Sequence, residues 1–261
     1  MLVIAENLNT RNRAWMEALR GRDASRLKAL AQELQAAGAE LINVQCSLDG
    51  SGDEELLPWA AGVIQEAVEL PLCLDSRNTR ALKAALQVLK EPPLVNYLSY
   101  TEPEDREALL ELVARHRASL VLRASKGTIP WSFEAKLQIL EELLQEANAA
   151  DIPNDRLFLD PSVVHILRGQ GQEHLANARD CILALKEMVE PPVGTLVWVC
   201  NVSTGLHGPL RKKLEASFLL YLAGAGLDAA MVDVLAPELK EALYLIKSFR
   251  DEVVFSPADL A

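Results

Sequence analysis

Eight short, almost wholly apolar runs separated by amphipathic stretches restrict this chain to very few architectures. They begin near Leu2 (LVIAEN), Leu41 (LINVQC), Leu70 (LPLCLDS), Leu94 (LVNYLS), Leu120 (LVLRAS), Leu157 (LFLDPS), Leu196 (LVWVCNVS) and Ala229 (AAMVDVL). Each stays apolar for four or five residues before it turns polar, the pattern of a strand buried on both faces of a parallel sheet. The apolar–polar alternation of a half-solvated antiparallel strand is absent.

Helical patterns fill the intervals. In the first, Leu27, Leu30, Ala31 and Leu34 recur at i, i+3, i+4 and i+7, with Asp23 placed to cap its start and Gly38 to end it. Comparable stretches run from about Glu54 to Val68, Asn78 to Leu89, Pro103 to His116, Phe133 to Ala149, Glu173 to Met188, Pro209 to Ala223 and Pro237 to Phe249. Eight strands thus alternate with eight helices, and the segment TRNRAWMEALRGR after the first strand is read as a loop.

Strand starts lie 24 to 39 residues apart, and 261 residues match the usual size of about 250 for a closed (β/α)8 TIM barrel. No Pro- or Gly-rich linker interrupts the alternation, so residues 1–261 are expected to form one barrel domain. An open doubly wound sheet is the competing fold, but no G-x-G-x-x-G turn follows the first strand. Eight strands buried on both faces also account for a chain that is 50% apolar.

Several function classes drop out. A net charge of −11 disfavours nucleic acid, and no run approaches the roughly 18 apolar residues of a membrane helix. The opening MLVIAENLNTRN has no basic n-region or cleavage site, and the four cysteines form no C-x-x-C pair, so a soluble cytoplasmic chain is expected. There is no G-x-x-x-x-G-K-[ST] loop, and no strand carries a lysine for Schiff-base chemistry. His116 and His174 fall on helices, leaving only His165 and His207 in loops at the catalytic end, so no metal site is expected.

In such a barrel, chemistry gathers at the carboxyl ends of the strands. Those ends carry Glu6, Asn7 and Asn9; Asn43 and Gln45; Asp75 and Ser76; Asn96 and Ser99; Arg123 and Ser125; Asp160; Asn201 and Ser203; and Asp233. Carboxylates accept hydrogen bonds and amides both give and accept, so the ring suits a flat heterocycle with alternating donors and acceptors, such as a 2-amino-4-oxopteridine. The same residue types also cap helices and close turns, a reading that weighs most for Ser76, Asn78 and Ser203.

At these positions the chain resembles the pterin-binding (β/α)8 methyltransferases, which exchange a methyl group between methyltetrahydrofolate and a corrinoid protein. PLCLDS puts Asp75 on the family's pterin aspartate, LVNYLS puts Asn96 on its strand-four asparagine, and FLDP puts Asp160 on its second aspartate. Cys200-Asn201-Val202-Ser203-Thr204-Gly205 is similar to the family's S-N-x-S-x-G, and AGLDAAMVDVL to its last strand. Three ends depart from the pattern. Ala5-Glu6-Asn7-Leu8-Asn9 stands for G-E-R-x-N, Asn43 to Ser47 for D-x-N-A-G, and Arg123 and Ser125 where an acidic or sulfur residue is usual.

The resemblance implies a pterin site of Asp75, Asn96, Asp160, Asn201, Ser203, Glu6, Asn9 and Gln45, with Asn201 as the catalytic residue. It implies tetrahydrofolate or methyltetrahydrofolate as substrate, cobalamin carried by a partner corrinoid protein, and a homodimer. This chain has no cobalamin-ligating D-x-H-x-x-G motif of its own. A non-catalytic pterin- or corrinoid-protein-binding subunit is the alternative. Dihydropteroate synthase ranks lower, because no glycine-rich SFSDGG-like turn follows the first strand.

Overall fold

Strand periodicity of two divides every apolar run between two hydrophobic layers, and this division positions everything at the mouth of the barrel. In the computed structural model, which describes residues 1–47 and 52–260, the strands are β1 (Leu2–Leu8), β2 (Leu41–Val44), β3 (Leu72–Asp75) and β4 (Leu94–Leu98), then β5 (Ser119–Arg123), β6 (Leu157–Asp160), β7 (Gly194–Trp198) and β8 (Ala229–Val232). All are parallel, and β8 pairs back onto β1, so the sheet closes in the order β1 to β8. The expected (β/α)8 TIM barrel is the observed fold, with each strand within two residues of its expected start.

Ile4, Leu41, Cys73, Leu94, Val121, Leu196, Ala229 and Met231 form a cluster inside the barrel. Their neighbours Val3, Ile42, Leu72, Leu74, Val95, Leu120, Leu122 and Val197 face outward into the larger core beneath the helices. Each fully buried Leu or Ile contributes about 1.5–3 kcal/mol of transfer free energy. A polar substitution in either apolar layer is therefore costly, which explains why the runs read as nearly continuous.

The helices are α1 (Arg13–Arg20), α2 (Ala24–Ala36), α3 (Asp53–Gln65), α4 (Thr79–Val88), α5 (Pro103–Arg115), α6 (Phe133–Ala149), α7 (Gly171–Met188), α8 (Pro209–Ala223) and α9 (Pro237–Phe249). Asp23 caps α2 by accepting from the Arg26 N–H, and Gly38 follows the helix at φ 93°, a conformation L side chains rarely adopt.

The helix α1 corrects the reading of that segment as a loop. Asn12 caps it, and Trp15, Met16 and Leu19 line one buried face. Trp15 is fully buried and its indole N–H donates to the Gln45 carbonyl, so tertiary packing holds a two-turn helix too short to show a convincing period. Among the described residues no helix is long and apolar enough to cross a membrane.

Candidate active site

Two positions beyond six residues of the inner apolar cluster, the same parity places a second interior layer nearer the mouth. Ile4 leads to Glu6, Leu41 to Asn43, Cys73 to Asp75, Leu94 to Asn96, Val121 to Arg123 and Leu196 to Trp198. On β6, Phe158 packs against the inner cluster and leads to Asp160. Register aligns the layer: Asp75 lies opposite Asn96, and Arg123 opposite Asp160. A polar ring thus rests on an apolar floor.

A cavity of about 620 Å³ opens over this ring, lined in part by Gln45, Asp75, Tyr97, Arg123 and Trp198. Asp75 Oδ2 accepts from Gln45 Nε2 at 3.0 Å and from Asn43 Nδ2 at 3.4 Å. Burial pushes the Asp75 carboxyl up to about 6, against the pull of the Asn43 amide, the Arg123 guanidinium and the Asn96 amide. Asn96 is buried, yet its Nδ2 has no hydrogen-bond partner among the described residues, and the Oδ1 of fully buried Asn43 has none either. Orphaned buried polar atoms cost about 1–3 kcal/mol each, which is tolerated where a ligand completes the set.

Asp160 is held from two sides. Its Oδ1 accepts from the Ser162 N–H at 2.8 Å, and its Oδ2 lies 3.7 Å from Arg123 Nε. Burial raises its pKa, opposed by Arg123, the Ser162 N–H and Lys136. Behind it, fully buried Lys136 donates to the Ser162 carbonyl at 2.8 Å, and burial lowers that ammonium to about 8. The end of β6 is therefore clamped from α6.

Glu6 sits behind Trp198, away from this cavity. Its Oε2 accepts from the Trp198 indole N–H and from Cys200 Sγ at 2.7 Å, and lies 3.4 Å from Arg11. Burial dominates and raises the Glu6 carboxyl, against those donors. It borders instead a separate space of about 200 Å³ shared with Arg11, Lys212 and Asp233.

Asp75, Asn96, Asp160 and Gln45 are thus brought together. Asn201 lies in the short helical turn Val199–Ser203 directly after β7, half-buried, with no side-chain hydrogen bond among the described residues. Asn9 and Ser203 make their hydrogen bonds outside this ring, and for Ser203 that agrees with the capping and turn-closing reading. Asn9 closes the turn after β1 by donating to the Glu6 carbonyl and accepting from the Arg11 N–H.

Ser203 is fully buried and hydrogen-bonded to Glu215 on α8 and to the Cys200 carbonyl. Glu215 in turn takes Lys212 at 2.9 Å, and Lys212 takes Asp233, which accepts from Asn7 at 2.6 Å. That chain of contacts braces α8 against the closing seam of the barrel. The capping reading holds for Asn78, which accepts from the Arg80 and Ala81 N–H groups.

Tyr97, Trp198, Asp53 and Arg77 also line the cavity, and none of them stands out in the sequence; for Trp198, two positions from Leu196, interior parity is the signal that finds it. Among the described residues no group of three or more His, Cys, Asp or Glu is arranged to hold a metal.

Residues 6–233 match the model of a family described as pterin binding enzyme. The chain is 28% identical over 247 residues to a methylcorrinoid:tetrahydrofolate methyltransferase of Eubacterium limosum, covering 94% of this chain and 89% of that protein. It is also 28% identical to the methionine synthase of Mycobacterium tuberculosis over 89% of this chain, but that match spans only 20% of the synthase. Among solved structures it is similar to the dihydropteroate synthase of Xanthomonas albilineans with 4-aminobenzoic acid, at TM-score 0.73 and 17% identity over 98% of this chain and 94% of that one. The synthase of Thermus thermophilus gives TM-score 0.69 and 19% identity over 95% and 93%. At those identities the structural likeness speaks for the fold alone.

Proposed function

The chain belongs to the pterin-binding enzymes, and from that premise we propose that it is a methyltransferase moving a methyl group between N5 of methyltetrahydrofolate, or tetrahydrofolate, and the cobalt of a corrinoid protein. The observation that carries this reading is the interior polar layer: two carboxylates and an orphaned buried amide on one apolar floor. In it, Asp75 and Asp160 accept from the guanidine-like edge of the pterin through charge-assisted hydrogen bonds, and Asn96 Nδ2 donates to a ring acceptor. Gln45 and Asn43 orient Asp75, and Ser162 and Lys136 orient the end of β6.

The corrinoid, brought by its own protein, supplies the cobalt that takes or gives the methyl group. What remains for this chain is to hold N5 open to the barrel mouth and to stabilise the charge that develops there, since an amine is a poor leaving group. An amide does not titrate, so Asn201 is no acid; its carbonyl oxygen accepts from N5–H⁺ once solvent has delivered the proton. Its amide has no other hydrogen bond among the described residues to give up. The relative from Eubacterium limosum, matched along nearly its whole length, supports the same reaction class.

Transfer of methyl from methyltetrahydrofolate to cob(I)alamin, followed by absorbance, tests the proposal. Turnover that depends on the chain supports it. Pterin binding without turnover would refute it in favour of a non-catalytic subunit.

A further inference from the structure

Arg123 stands where the resemblance leads one to expect an acidic or sulfur residue, and its surroundings give it a defined posture. Its guanidinium carbon lies 4.6 Å from the centroid of the Tyr97 ring, and its Nε lies 3.3 Å from Ser162 Oγ. Asp160 Oδ2 is 3.7 Å from that Nε, longer than a hydrogen bond. An arginine beside two carboxylates ordinarily grips one of them through two parallel N–H bonds. Here the stacking on Tyr97 and the contact to Ser162 hold the fork away from both. The terminal nitrogens Nη1 and Nη2 have no partner among the described residues, while the side chain is only 18% exposed and lines the same cavity as Asp75.

A half-buried guanidinium with both arms unengaged is placed for an acceptor that arrives with the ligand. We infer that Arg123 is the specificity-determining residue for the 4-position of the pteridine, donating to a 4-oxo group and rejecting a 4-amino group. This inference rests on the pterin reading of the site. The 2-amino and N3–H groups of a pterin are donors and are answered by carboxylates, whereas the 4-oxygen is an acceptor and needs a donor. Arginine carries five donors and no acceptor, so a 4-amino group meets it donor against donor. Discrimination of this kind comes from leaving buried polar groups unpaired in the wrong complex, which costs more than the right contact gains.

Calorimetry with two compounds tests it: 6-methyl-5,6,7,8-tetrahydropterin, which carries the 4-oxo group, and 2,4-diamino-6-methyl-5,6,7,8-tetrahydropteridine. The wild-type chain prefers the 4-oxo compound by about 10- to 100-fold, the value of one charge-assisted hydrogen bond. Arg123→Met cuts that preference by about 10-fold, mainly through lost affinity for the 4-oxo compound, and leaves the part that comes from N3–H, which only the 4-oxo compound presents to a carboxylate. Arg123→Lys, which keeps a cationic donor, retains the order of preference. Equal affinity of the wild type for the two compounds overturns the inference without recourse to any variant. A preference undiminished in Arg123→Met overturns it too, because Arg123 would then only balance the charge of Asp75 and Asp160. A wild-type chain that binds neither compound refutes the pterin reading itself, and the role of Arg123 with it.

Discussion

Replacing Asp75 with Asn separates what the site needs for binding from what the fold would prefer. Asp75 Oδ2 accepts from Gln45 and Asn43, and an amide oxygen in the same position accepts from both. Burial raises the carboxyl from its ordinary 3.8 to about 6, so the folded chain holds this proton more tightly than the unfolded chain does. Between pH 4 and pH 6 the folded state therefore binds more protons than the unfolded one, and stability falls as pH rises through that window. Above it, the ionised wild type carries a cost of about 3 kcal/mol, at 1.36 kcal/mol for each pH unit between the two values.

Asp75→Asn removes the titrating group. It is expected to be more stable than the wild type by up to about 3 kcal/mol at pH 8, with the gap shrinking below about 1 kcal/mol at pH 4. Urea unfolding followed by circular dichroism at the two pH values measures the gap. At the same time the Asn Nδ2 presents a donor where the pterin also presents one, and affinity for tetrahydropterin falls by at least about tenfold. A gap that is the same at both pH values would show that burial does not oppose ionisation of Asp75. Undiminished pterin affinity would remove Asp75 from the recognition of the ring.

Asn201→Ala is expected to lower the methyl-transfer rate by about 100-fold while changing pterin affinity less than about threefold; equal losses in rate and affinity would contradict a role confined to N5. Asp160→Ala acts on binding instead, weakening tetrahydropterin by about 10- to 100-fold in calorimetry, and an unchanged affinity would refute that assignment. Burial lowers the Lys136 ammonium from 10.5 to about 8, so the unfolded chain binds the extra proton between those values and wild-type stability rises with pH across them, by up to about 3 kcal/mol. Lys136→Met lacks that rise, and parallel pH–stability curves for the two chains would count against it. At Gly171, which begins α7, an added Cβ would stand 2.5 Å from the Ile166 carbonyl oxygen and 2.8 Å from that of His165. Gly171→Ala is expected to cost about 1–3 kcal/mol, read as a lower melting temperature; an unchanged Tm would mean that this loop yields freely.

The barrel was legible because its signal is local. An apolar run, a cap such as Asp23 and a helical period each need only a few neighbouring residues, and closure follows once eight such units are counted. The same local rule carries the interior layer: Asp75, Asn96 and Asp160 stand at the ends of their strands, and parity aims them inward. The helix Arg13–Arg20 was missed because its stability comes from Trp15 packed beneath the Gln45 carbonyl, a contact 30 residues away in sequence.

What a polar side chain does once it is inside depends on partners that only closure supplies. Asn9 and Ser203 read like their neighbours in the ring, yet one closes a turn and the other is tied to Glu215 in the brace that runs to Asp233 and Asn7, across a separation of 226 residues. Glu6 meets Trp198 and Cys200 at the end of β7, 192 and 194 residues away in sequence, and burial there raises its carboxyl above the usual range. Arg123 is the sharpest case. In the sequence it is a departure at the end of one strand; in the folded chain Tyr97 and Ser162 turn it into a free donor above two acids. Strand parity determines which residues enter the barrel, and three-dimensional hydrogen-bond accounting decides which of them remain available to a ligand.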